Sequence, residues 1–178
     1  MIAFALGAAA LAIGAFTFKP SGAGTDPKNP WGFQQESPKR KDKLVLSEDE
    51  WKKRLTPAQY EILRAEGTEP RFCGVFVDNH KTGTYYCAGC GLPLFRSDAK
   101  FDSGTGWPSF FQPIDKDAVW LHLDTSAGMV RWEVRCSRCD GHLGHVFEDG
   151  PAPTGLRFCM NSGVLTFKED GSTKMEKG

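Results

Sequence analysis

A mainly antiparallel β domain with short helices at one end is the fold class this sequence predicts, and three observations predict it. Val130, Trp132, Val134 and Cys136 alternate with Arg131, Glu133 and Arg135, the period of a half-buried strand. Four further short runs, Tyr85 to Cys87, Val119 to Leu123, Leu156 to Met160 and Val164 to Phe167, are separated by Gly and Pro. Helix signals, by contrast, are confined to the stretch before Gly67.

Residues 1–18 carry no charge and are rich in Ala, Gly, Leu and Ile. At about 1.5 Å per residue a helix of that length just crosses a bilayer core of roughly 30 Å. We read the run as an export signal or membrane anchor, which places the protein outside the cytoplasm or on a membrane (the periplasmic side in a bacterium). Ser21 and Ala23 suit a small-residue cleavage site, although the run lacks a basic start. Lys19, Lys28 and Lys39-Arg40-Lys41 all follow it, which leaves orientation open. A buried N-terminal helix and a cytoplasmic protein starting further downstream are the alternatives.

Residues 19–43 are rich in Pro, Gly, Lys and Asp without a hydrophobic period, and read as a linker. Ser47-Glu48-Asp49-Glu50 is a capping box before Trp51 and Leu55. Thr56-Pro57-Ala58-Gln59 is a second cap with Pro at the first helical position, and Gly67 is a stop. Two short helices therefore open a domain over residues 44–170, with 171–178 as a tail. Of the 178 residues 40% are hydrophobic, enough for a core. Lys+Arg and Asp+Glu balance at 22 each, so nothing points to nucleic acid.

The six cysteines divide four to two. Cys87-Ala88-Gly89-Cys90 and Cys136-Ser137-Arg138-Cys139 are two CxxC pairs, each a tight turn that brings two sulfurs to one point. Two such turns supply four ligands for one tetrahedral Zn²⁺, and a closed four-thiolate shell is structural. Two redox-active CxxC motifs, three structural disulfides and a zinc ribbon that only binds partners are the competing readings.

Cys73 and Cys159 remain. A lone cysteine is ordinarily a small buried hydrophobe. A two-residue period, however, puts Arg157, Cys159 and Asn161 on one face and Leu156, Phe158 and Met160 on the other. A guanidinium beside a thiol favours the reactive thiolate. Upstream, His142, His145 and Asp149 can supply acid chemistry near neutral pH, or merely form a surface turn. In a straight strand the two histidines face opposite ways, so Gly144 must bend the chain if both serve one site. Gly104-Thr105-Gly106-Trp107-Pro108-Ser109-Phe110-Phe111 reads as a shaped loop, in which Trp107 either walls a small apolar pocket or closes over the core.

From about Trp51 to Phe167 these motifs in this order resemble the type B methionine sulfoxide reductases. The resemblance rests on the two CxxC pairs, on Phe101 to Phe110, on His142 to Gly150 and on Arg157-Phe158-Cys159-Met160-Asn161-Ser162. It implies a small barrel-like arrangement of two antiparallel sheets, with one structural zinc on Cys87, Cys90, Cys136 and Cys139 and no organic cofactor. It also implies reduction of methionine-R-sulfoxide, free or in proteins, with Cys159 as nucleophile. His142, His145, Asp149, Arg157 and Asn161 match the polar site, and Trp107 matches the aromatic that holds the substrate methyl. Many members carry a resolving cysteine where this chain has Thr105. Some use a cysteine nearer the N-terminal end, and Cys73 stands in that region; an inert, buried Cys73 is the alternative. A thioredoxin-like reductant and a monomer complete what the resemblance implies, with membrane association through residues 1–18. The alternative class, a zinc-dependent binding module with idle thiols, leaves the polarised surroundings of Cys159 without a purpose.

Overall fold

The computed structural model describes Asn29 and residues 31–178. The expected signal or anchor at 1–18 lies outside the described residues, as does the first part of the expected linker. Among the described residues no helix is long and apolar enough to cross a membrane.

Both capping boxes form. In helix α1 (Glu48–Arg54) the Ser47 side chain accepts from the Glu50 N–H and the Glu50 carboxylate reaches back to the Ser47 N–H. Three acidic residues in the first turn and three basic ones in the last complement the helix dipole. Helix α2 (Pro57–Leu63) repeats the device with Thr56 and Gln59. A capping side chain of this kind contributes about 1 kcal/mol, which matters for helices of two turns.

Ten strands follow: β1 (Gly83–Cys87), β2 (Pro93–Arg96), β3 (Lys100–Phe101), β4 (Ser109–Phe110), β5 (Val119–Asp124), β6 (Arg131–Cys136), β7 (His142–Phe147), β8 (Arg157–Met160), β9 (Leu165–Glu169) and β10 (Met175–Lys177). They form one sheet in the order β10-β9-β1-β2 and another in the order β3-β4-β8-β7-β6-β5. All pairings among the described residues are antiparallel. From the first sheet, Tyr85 packs on Phe167 and meets Phe110 of the second sheet directly, while Phe95 stacks on Phe110 with centroids 4.4 Å apart and reaches Phe158. This wholly buried aromatic seam is the core between the two sheets.

Two boundaries differ from the sequence reading. Residues 31–43 are not a free linker: Phe33 enters the core and meets Phe158 edge-on, and Trp31 packs on Trp132. The Leu121 N–H donates to the Gln34 carbonyl, and Lys43 binds Asp140 and the Ser137 carbonyl. The apolar anchors are too few and too irregularly spaced to show a period. The expected tail likewise adds β10 to the edge of the first sheet.

The outer face of the six-stranded sheet is where polar side chains gather. Ser109 lies opposite Cys159, Cys159 opposite His145, His145 opposite Glu133, and Glu133 opposite His122. Directly opposed residues share a face with Cβ atoms about 5 Å apart. The register therefore lays the thiol, an imidazole and a carboxylate on three adjacent strands, in one row that crosses five.

Candidate active site

Cys159 is half-buried on β8 at a cavity of about 130 Å³ lined by Thr68, Trp107, Arg131, His145, Phe147 and Asn161 among others. Burial pushes its thiol up from the ordinary value, against Arg157, Thr105 and Ser109, which pull it down. The sequence reading had Arg157 favouring thiolate. Its pull is in the expected direction, but burial outweighs it. A larger cavity of about 440 Å³ lies between Trp31, Phe33, Phe111 and Leu156 and contains neither a thiol nor a histidine.

Arg157 is itself held. Its Nε and Nη2 donate to the two carboxylate oxygens of Asp149 at 2.8 Å each, and its guanidinium lies over the Phe147 ring. Asp149 is held below the usual carboxylate range by Arg157. It anchors the guanidinium.

The bend expected at Gly144 exists. Strand β7 carries a bulge opposite β6, where Val134 pairs with Gly144 but Arg135 pairs with His142. Gly144 has φ +155°, and a Cβ there would strike the Cys159 carbonyl oxygen. The bulge brings the two rings to 5.4 Å between centroids. Their settings differ. His145 faces the cavity with Nε2 2.8 Å from Asp124 Oδ2. His142 is 2% exposed, with Nδ1 2.6 Å from Glu133 Oε1. Its Nε2 is buried without a hydrogen-bond partner. Burial draws His145 below the ordinary histidine value, against the bond to Asp124.

Asn161 stands just past the strand, buried, with both ends of its amide used. Nδ2 donates to the Leu143 carbonyl, while Oδ1 accepts from the Glu69 N–H. Trp107 Nε1 donates to the Glu69 carbonyl. Glu69 thus ties two cavity walls together, and its carboxylate accepts from the Ser162 and Gly163 N–H groups.

Cys73 is exposed in a turn that leans on the Trp107 loop: Phe72 N–H donates to the Gly106 carbonyl at 2.8 Å and Arg71 Nε to the Thr105 carbonyl at 3.0 Å. The Thr105 hydroxyl is 3.9 Å from the Cys159 sulfur.

The other four sulfurs lie within 4.8 Å of one another. Cys87 and Cys139 are 3.7 Å apart, Cys90 and Cys136 3.5 Å. Tetrahedral Zn–S bonds of about 2.3 Å put sulfurs about 3.8 Å apart, so the cluster fits zinc. Neighbouring thiols and burial push Cys87 and Cys136 up, so four thiolates would need a divalent cation to coexist there. Arg54, Arg64 and Arg138 donate to the carbonyls of Gly89, Cys139 and Cys90, a cationic collar suited to the net negative charge of a zinc–tetrathiolate.

Sequence reasoning missed Asp124, Arg131, Glu133 and Glu69. The signal for Glu133 was the register, since it lies on the strand paired with the His142–His145 segment. Asp124 lies one strand further out, opposite Arg131, and no pattern in the sequence marks it.

Residues 55–169 match the family described as the SelR domain. A Methanosarcina barkeri protein named peptide methionine sulfoxide reductase MsrB is 59% identical over 128 residues, 72% of this chain and 90% of that protein. This chain belongs to the MsrB family. Two further MsrB proteins, from Bradyrhizobium diazoefficiens and Leptospira interrogans, are each 56% identical over 70% of this chain, covering 89% and 95% of their own lengths. The six cysteines, His142, His145 and the cavity walls described above, from Thr68 to Asn161, fall inside the matched region, residues 55–169, whereas Arg54 of the cationic collar lies just before it. Phe33 and Trp51 lie before it and are still part of the core.

Proposed function

We propose that this MsrB-family enzyme reduces methionine-R-sulfoxide, free or in proteins, to methionine by attack of Cys159 on the sulfoxide sulfur. The observation that carries the reading is a half-buried thiol set apart from the four-sulfur cluster, in a cavity with His145, Asn161 and Trp107.

Trp107 gives the substrate methyl an apolar wall, and Asn161, clamped at both ends, holds the polar side. Arg157 supports negative charge on Cys159 as the thiol proton leaves. His145, facing the cavity, delivers a proton to the sulfoxide oxygen, while His142 stands behind it; a positioned acid contributes roughly 10²–10⁴-fold. The substrate sulfur gains two electrons and leaves as methionine. Cys159 loses two and keeps the oxygen as sulfenic acid. The Cys73 thiol then displaces that oxygen as water, forming a disulfide, and an external thioredoxin-like dithiol reduces it by exchange. Zinc on Cys87, Cys90, Cys136 and Cys139 supplies a cross-link between two turns and takes no part in the electron transfer.

Exposure of Cys73 and its place beside the Thr105 loop support it as the resolving thiol. Cys73→Ser is the test. It should release one methionine per chain as the wild type does and then stop when thioredoxin is the reductant. Full multiple turnover by Cys73→Ser would remove Cys73 from the scheme. The uncharged residues 1–18 support action outside the cytoplasm or on a membrane, which sequencing of the mature N-terminus and membrane fractionation would decide.

A further inference from the structure

Asp124 ends strand β5 with its side chain 14% exposed and one carboxylate oxygen directed at the site. Oδ1 accepts from the Ser126 N–H at 2.8 Å. Oδ2 accepts from Arg131 Nη2 at 2.6 Å and meets His145 Nε2 at 2.8 Å. Arg131 is its direct partner across the β5–β6 ladder. The carboxylate is therefore fixed from two sides before it touches the histidine. Burial pushes its carboxyl up, but the bonds from Ser126, His145 and Arg131 outweigh this and hold it well below the usual range.

An ionised carboxylate only accepts, so the ring nitrogen facing it must carry a proton. In a neutral ring that leaves Nδ1 as a bare lone pair. The His145 backbone lies opposite that of Cys159, and its ring lines the same cavity. We propose that Asp124 is a positioning residue for sulfoxide reduction, fixing the Nε2–H tautomer of His145 so that Nδ1 takes the Cys159 thiol proton and hands it to the sulfoxide oxygen.

The inference rests on the thiol mechanism above and adds where the proton comes from. It passes from Cys159 Sγ to His145 Nδ1, and the freed electron pair attacks the substrate sulfur. The sulfur–oxygen bond of the substrate breaks. The oxygen, carrying that proton, ends on Cys159, so one thiol and one sulfoxide become one sulfenic acid and one thioether. The groups facing His145 are Asp124 from β5, Arg131 and Glu133 from β6, His142 on its own strand, and Cys159 from β8, with Arg157 further along β8 opposite Phe147. Burial, Arg131 and His142 lower its proton affinity, whereas Asp124 raises it. A thiol pushed up by burial beside an imidazole drawn down keeps both neutral at rest, and Asp124 stabilises the imidazolium as it forms, the logic of a carboxylate behind a catalytic histidine. Glu133 behind His142 repeats the pattern one strand away, on a ring outside the cavity lining.

The test is single-turnover methionine release from a methionine-R-sulfoxide peptide, followed across the acid and neutral range. Asp124→Asn should slow the step by roughly 10²-fold with substrate affinity changed by less than about 3-fold, and should move the acid limb to lower pH because His145 loses the group that favours its proton. Adding Asp124→Asn to His145→Ala should cost nothing further, since both remove one device. An unchanged rate and limb in Asp124→Asn, or losses that multiply, would overturn the proposal. Nitrogen NMR of His145 in the wild type needs no variant: an Nε2–H ring is expected, and an Nδ1–H ring contradicts it. If instead the wild type releases no methionine, the thiol mechanism itself fails, whatever the tautomer.

Discussion

Arg157 reaches Asp149 through two parallel bonds of 2.8 Å, which aims a fixed guanidinium along β8 at a thiol that burial keeps protonated. Arg157→Ala removes a pull toward thiolate and leaves burial unopposed. Alkylation of Cys159 should therefore need a higher pH, with the rate at neutral pH down about 10-fold for each unit of rise. Asp149→Ala should move the profile the same way by less, because the guanidinium stays but swings. The check is the pH dependence of iodoacetamide modification at Cys159.

Gly144 holds the bulge that puts both histidines on one side of β7. Gly144→Ala drives a methyl into the Cys159 carbonyl at a φ that L residues rarely adopt. A loss of about 3 kcal/mol or more in urea unfolding is expected, together with collapse of turnover. A variant of wild-type stability would show that the strand can relax around a side chain.

The four-thiol cluster ties the β1–β2 turn to the β6–β7 turn. One zinc per chain is expected by elemental analysis, and Cys90→Ser should lower the melting temperature by on the order of 10 °C. Chelator under mild denaturant should release the metal and unfold the domain together.

Phe33 packs in the core from outside the matched MsrB region. Phe33→Ala should cost about 3 kcal/mol, and removing residues 31–43 should cost more. A linker would give no change in either measurement.

Much of this was legible in the sequence because it rests on local rules. The capping boxes at Ser47 and Thr56 fixed both helices, and the alternation after Val130 fixed β6. The CxxC spacing found the four sulfurs, and the Arg157–Cys159–Asn161 period found the polar face of the site. What stayed hidden depends on depth and register. The sequence shows that Arg157 neighbours Cys159 but not that burial outweighs it. Arg131, Glu133 and Arg135 read as a solvent face, yet Glu133 is 3% exposed beneath His142, because β5 and β7 flank it. Strand β7 escaped the period because its bulge breaks it. Phe33 escaped because a lone aromatic in a polar stretch carries no pattern.

The central claim is that the oxygen of a damaged methionine passes to one sulfur. Mixing the enzyme with a methionine-R-sulfoxide peptide and no reductant, then counting methionine released and thiols lost, tests it most directly. One methionine per chain with loss of the Cys73 and Cys159 thiols is expected, and none from Cys159→Ser. Methionine formed at the wild-type rate by Cys159→Ser would contradict the account.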